Sequence, residues 1–192
     1  MSTLINNLLN IKFHLVGGLP NMIAKRKYIT KKARNFKINL LIESGTYLGQ
    51  STRYFARHFN TVYTIELSEE LFNFAKKNMA LQNIKFYQGN SAEILQKIVN
   101  ELKTGAVFFL DAHMSGGVTV AGETATPVRI ELAILENFPH LKNSILILDD
   151  ARGFDGTNSY PAFEEIIIWA KKLNLGRVYS ELDMIIIDPV IL

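Results

Sequence analysis

Leu40-Leu41-Ile42-Glu43-Ser44-Gly45-Thr46-Tyr47-Leu48-Gly49-Gln50-Ser51-Thr52 decides the fold of this chain, together with Thr61-Val62-Tyr63-Thr64-Ile65-Glu66 one short helical stretch later. An apolar run gives way to a glycine turn and then a helix, and a second apolar run closes on an acid. A glycine turn between strand and helix lets backbone approach a ligand closely, and an acid ending the next strand suits a ribose diol. Two further apolar runs also end in acid, at Asp111 and at Asp149-Asp150. In a parallel sheet these acids share one edge.

Outward from that stretch the alternation is regular. Strands are expected at Ile38–Glu43, Thr61–Glu66, Ile84–Gln88, Ala106–Asp111, Ser144–Asp149, Val178–Leu182 and Met184–Asp188. Helices are expected at Gln50–His58, Glu69–Leu81, Ala92–Leu102, Pro127–Phe138 and Tyr160–Leu173, with Ser68 as an N-cap. Runs such as Ala106-Val107-Phe108-Phe109-Leu110 and Ile145-Leu146-Ile147-Leu148 are apolar at every position, the mark of strands covered on both faces. Five strand–helix alternations imply right-handed crossovers and a doubly wound sheet. The last two strands are too close for a helical crossover and must pair antiparallel. Residues 1–36 read as a helical appendage, with Leu4, Ile5, Leu8, Leu9 and Ile11 at helical spacing, a break at Gly17-Gly18-Leu19-Pro20, and a second helix from about Met22 to Ala33. Residues 37–192 read as the cofactor-binding domain.

The glycines Gly45 and Gly49 do not have dinucleotide spacing, and no lysine makes a phosphate loop. Glu43 before the turn attracts a cationic ligand, while Ser51 and the free amides of the helix start suit a carboxylate. A ligand carrying both an ammonium and a carboxylate fits this mixture better than a dinucleotide. Glu66 stands where an acid accepts from both ribose hydroxyls. Asn90 and Ser91 follow the third strand, where they either meet an adenine edge or cap the next helix. Asp111, His113, Asp149 and Asp150 form a second group. Neighbouring carboxylates at strand ends are costly unless protonated, hydrogen-bonded or neutralised, and such oxygen-rich sets suit Mg²⁺ or Mn²⁺. Arg152 would pair with an anionic substrate or neutralise Asp150. The glycine-rich stretch 114–127 is a candidate lid.

With 192 residues, 48% of them hydrophobic and 20% charged, the chain is large enough for one sizeable core. It has no cysteine, which excludes disulfides, thiolate metal sites and thiol catalysis and agrees with a cytoplasmic location. No signal peptide and no membrane span are expected. Lys25, Arg26, Lys27, Lys31, Lys32, Arg34 and Lys37 crowd into thirteen positions without an acid. Such a segment meets nucleic-acid phosphates in some proteins, but without interleaved aromatics the plainer expectation is a solvated basic segment.

The run Glu43-Ser44-Gly45-Thr46-Tyr47-Leu48-Gly49-Gln50-Ser51, the ending Thr64-Ile65-Glu66, the turn Gly89-Asn90-Ser91, and the strand ends Phe109-Leu110-Asp111 and Leu148-Asp149-Asp150 resemble class I S-adenosylmethionine-dependent methyltransferases. Among these the chain is most similar to the metal-dependent O-methyltransferases of the catechol type. The Asp-x-His spelling and the acidic doublet resemble the sugar-hydroxyl methyltransferases of macrolide and aminocoumarin biosynthesis. The resemblance implies a Rossmann-like sandwich with a mostly parallel seven-stranded sheet and a terminal antiparallel hairpin. It implies S-adenosylmethionine held by Glu43, Gly45, Tyr47, Gly49, Ser51, Glu66, Asn90, Ser91 and Asp111, and Mg²⁺ or another divalent cation held by Asp111, Asp149 and Asp150. Catalysis would fall to His113 and Asp111, with His113 and Arg152 facing a small-molecule or sugar substrate; the N-terminal appendage is, separately, a candidate contact for a homodimer. Met114 stands where the family often has a lysine. The alternatives are a nicotinamide-dependent oxidoreductase and a non-catalytic cofactor-binding or scaffold domain.

Overall fold

The computed structural model describes residues 21–111, 127–157 and 159–190. Seven strands are present: β1 (Leu40–Ser44), β2 (Thr61–Glu66), β3 (Ile84–Gln88), β4 (Val107–Leu110), β5 (Ile145–Asp149), β6 (Val178–Glu181) and β7 (Met184–Ile187). Six helices are described around them: α1 (Met22–Asn35), α2 (Gln50–Phe55), α3 (Glu69–Asn78), α4 (Ser91–Glu101), α5 (Val128–Glu136) and α6 (Phe163–Lys172). Four of the helices, α2, α3, α5 and α6, are shorter than their sequence patterns, whereas α1 runs on to Asn35 and α4 keeps its length one residue earlier. Gln50–His58, for example, becomes α2 plus a turn in which Ala56 and Phe59 still pack inward. Ser68 caps α3 as expected, its hydroxyl accepting from the Leu71 amide at 3.3 Å.

The strands form one sheet in the order β3-β2-β1-β4-β5-β7-β6. Every pairing is parallel except those of β7, which runs antiparallel to both β5 and β6. The expected terminal hairpin is therefore present, with its second strand inserted against β5. Period-two alternation sends successive side chains to opposite faces. Leu41, Val62, Val107, Phe109, Ile145 and Ile147 meet Ala24, Ile29 and Ala33 of α1, Phe55 of α2 and Ala75 of α3. Ile42, Ile65, Phe108, Leu110, Leu146 and Leu148 meet the apolar faces of α4, α5 and α6. The two-sided burial predicted from the apolar runs is what the strands show, in a three-layer α/β/α sandwich.

Successive strands proceed outward from β1 in one direction through β2 and β3, and in the other through β4 and β5. The reversal makes the carboxyl ends of β1 and β4 the topological switch point, the place where parallel α/β sheets bind ligands. No described helix is long and apolar enough to cross a membrane.

Candidate functional site

The turn after β1 is held open by two left-handed glycines. Gly45 has φ 89° and Gly49 φ 73°, backbone that a side chain would strain. A Cβ on Gly45 would come within 3.4 Å of the Cβ of Asp111, so the bare turn lies directly against the end of β4. Glu43 is fully buried beneath this turn. Its Oε2 accepts from the Thr52 hydroxyl at 2.5 Å and from the Thr64 hydroxyl at 2.9 Å. Thr64 is also its register partner on β2. Burial pushes the Glu43 carboxyl up to about 7, against the opposing pull of the two hydroxyls.

Glu66, also buried, ends β2 and ties the same turn from the other side. Its Oε2 accepts from the Tyr47 amide at 2.8 Å and its Oε1 from the Ser68 amide at 3.0 Å. A carboxylate has about four lone-pair sites, so two amides leave acceptor capacity for a diol. Tyr47 itself is exposed, with φ 48°, and meets the site through its backbone. Asn90 caps α4, its side-chain oxygen accepting from the Ala92 amide at 2.9 Å. This is the capping role the sequence allowed.

Three contributors to this half of the rim escaped the sequence reading. Arg26 of α1 donates from Nε to the Ser51 hydroxyl at 2.9 Å, bringing a guanidinium to the position expected to meet a ligand carboxylate. Thr64 was readable only as a polar break in the apolar run of β2. Glu131 lies fully buried in α5 among Ser44, Ser91 and Asp111, and burial raises its carboxyl to about 7 against the pull of the Ser91 and Ser44 hydroxyls. The signal was present, because Glu131 interrupts the stripe Val128-Leu132-Leu135 at a core position.

The other half of the rim departs from expectation. Lys25 of α1, only 4% exposed, reaches down to the end of β5. Its Nζ forms a very short ion pair with Asp149 Oδ1 and lies 3.9 Å from Asp150 Oδ1. Asp149 Oδ1 also accepts the Asp150 amide at 3.0 Å, and burial pushes the Asp149 carboxyl up while Lys25 pulls it down. Asp150 turns out of the strand at φ 56°, a conformation Asp tolerates better than most residues. Arg152 Nη1 lies 2.8 Å from Asp150 Oδ1 and pairs with Asp183 as well. Of the two roles foreseen for Arg152, the structure displays the local ion pair. Among the described residues no group of three His, Cys, Asp or Glu side chains stands ready to hold a metal ion. Of the expected triad, Asp111 packs on the Gly45 turn, while Lys25 and Arg152 face the Asp149–Asp150 doublet. His113 and nearly all of the stretch 114–127 lie outside the described residues.

The basic leader is likewise only partly solvated. Lys25 and Arg26 point into the rim, and Lys32 pairs with Asp188 and Tyr179, both at 2.5 Å. Lys27, Lys31, Arg34 and Lys37 remain exposed.

Comparison with solved structures gives the same architecture. An O-methyltransferase from Bacillus cereus in complex with S-adenosylhomocysteine matches with a TM-score of 0.55 at 20% identity, over 85% of this chain and 79% of that one. The O-methyltransferase TomG from Streptomyces achromogenes, involved in tomaymycin synthesis and solved with S-adenosylmethionine, matches at 0.58 and 14% identity, over 91% and 84%. A methyltransferase from Geobacter sulfurreducens matches at 0.59 and 14% identity, over 94% and 85%. No protein-family profile matches the sequence, and no curated protein does. At these identities the likeness shows the fold, which is that of the class I methyltransferases.

Proposed function

We propose that this chain transfers the methyl group of S-adenosylmethionine to a hydroxyl oxygen of a small molecule or sugar. The observation that carries the reading is Glu66, a buried carboxylate clamped to the glycine turn by the Tyr47 and Ser68 amides at the topological switch point. In that position its remaining lone pairs accept from a ribose diol. The amino-acid end of the cofactor then lies over Gly45–Ser51. Ser51 and Arg26 meet its carboxylate, and the acidic pair Glu43 and Asp111 favours its ammonium and sulfonium. Asn90 and Ser91 border the adenine.

In the transfer the S–CH₃ bond breaks as the O–CH₃ bond forms, the electron pair stays on sulfur, and the hydroxyl proton passes to a base. His113, two positions past Asp111, is our candidate for that base, since imidazole titrates near working pH. Holding donor and acceptor in line contributes on the order of 7 kcal/mol or more in favourable cases. The donor set for a divalent ion does not fit as the sequence implied, because one oxygen each of Asp149 and Asp150 already faces Lys25 or Arg152, whose positive charges oppose a second cation.

Calorimetry with S-adenosylmethionine, S-adenosylhomocysteine and NAD⁺ tests the reading. We expect both sulfur nucleosides to bind, NAD⁺ to fail, and a hydroxyl library with labelled donor to reveal an acceptor. Binding of NAD⁺ alone would move the chain to the oxidoreductases. Binding of neither would leave a scaffold.

A further inference from the structure

We infer that the Lys25 ammonium is the resident cation of the acidic rim at the end of β5, standing where a divalent ion would have to sit, so that the acceptor side works without a bound metal. This deepens the methyl-transfer reading and rests on it only in placing the acceptor at this rim. A lysine side chain is almost never fully buried unless paired, and Lys25 is buried against two carboxylates, the nearer in sequence being Asp149, 124 positions away. It is built in rather than draped over the surface. Ala24, Ile29 and Ala33 anchor α1 in the core, and Arg26, the next residue, is fixed to Ser51.

Charge counting supports the assignment. Asp149 Oδ1 takes the ammonium and the Asp150 amide, while Asp150 Oδ1 takes Arg152 and lies near Lys25. A divalent ion bonds to carboxylate oxygen at about 2.0–2.6 Å, which would press two positive charges beside the ammonium already there. The two cations of α1 also divide the site between them. Lys25 serves the acceptor half and Arg26 the cofactor half, so one helix ties the two together.

Mn²⁺ titration followed by electron paramagnetic resonance on the full chain tests this, with S-adenosylhomocysteine calorimetry on the same samples. Wild type and Lys25→Arg should take up no stoichiometric Mn²⁺. Lys25→Ala should bind one equivalent at least about tenfold more tightly than wild type, because the freed carboxylates regain their hard-cation donors. Adding Asp149→Asn should abolish that gain. One equivalent bound by the wild type and lost in Asp149→Asn would overturn the inference, as would a folded Lys25→Ala that gains no site. If Lys25→Ala does not fold, the wild type and Lys25→Arg decide: Mn²⁺ uptake refutes the assignment and its lack upholds it. Failure to bind S-adenosylhomocysteine with the Mn²⁺ pattern intact would sink the methyl-transfer reading alone.

Discussion

At the ends of β1 and β2, Glu43 and Glu66 accept from neutral donors, two threonine hydroxyls and two backbone amides. At the end of β5, a few strands along the same edge, Asp149 and Asp150 face an ammonium and a guanidinium. The sheet supplies acids to both halves in the same manner, and the neighbours decide what each acid is for. Neutral donors fix a carboxylate while leaving much of its negative charge to attract a cationic ligand. A buried cation cancels the charge and converts the acid into a joint between the leader helix and the sheet.

The sharpest way to break this contrast is to remove one partner of the charged joint. Lys25→Ala leaves Asp149 buried without its cation and should cost about 3–5 kcal/mol of stability in urea denaturation. Replacing both members, as in Lys25→Met with Asp149→Leu, should recover most of that loss. If the single variant costs less than about 1 kcal/mol, the range of an exposed pair, the joint is not structural. On the neutral side the effect should appear in binding instead. Glu66→Gln removes a charged acceptor and should weaken S-adenosylhomocysteine by about 10- to 100-fold, since hydrogen bonds to charged groups contribute about 1.5–3 kcal/mol. An unchanged dissociation constant would remove Glu66 from the ribose.

The contrast also explains what was legible in the sequence. Strand positions and two-sided burial could be read because apolar runs such as Val107–Leu110 and Ile145–Leu148 encode them locally. Glu66 could be read because a strand end fixes its position relative to the turn. Lys25 could not, because its meaning depends on a partner 124 positions later, and a basic run looks alike whether it faces solvent or acid. The same holds for Arg26 and Ser51. The metal expectation counted three acids without the cations that fold onto two of them, Lys25 and Arg152 beside Asp149 and Asp150. Glu131 was local enough to see, one acid in an apolar stripe, but its neighbours Ser44 and Ser91 come from other elements.

Glu131 offers a finer test through pH. Its folded pKa, about 7, lies above the ordinary carboxylate value of 4.5, so the folded state holds the proton longer. Stability from this group is therefore fully present below about pH 4.5 and lost as pH rises through about 7. Glu131→Gln, which stays neutral, should match the wild type near pH 4 and exceed it at pH 8 by on the order of 3 kcal/mol. Equal urea midpoints at both pH values would show that the carboxyl ionises in the fold without penalty.

The smallest expected effect probes where the two halves meet. Arg26 is only half-buried, so solvent screens its charge, and its proposed contact is with one end of the cofactor. Arg26→Gln should weaken S-adenosylhomocysteine by about 3- to 10-fold, roughly 1 kcal/mol. The same variant should leave 5′-methylthioadenosine unaffected, because that nucleoside has the ribose and adenine but no amino-acid carboxylate. An equal loss for both ligands would mean that Arg26 acts by seating α1 on the turn at Ser51. In that event the leader helix braces the cofactor half much as Lys25 braces the acceptor half, and the division between neutral and charged support would run through residues rather than through halves of the rim.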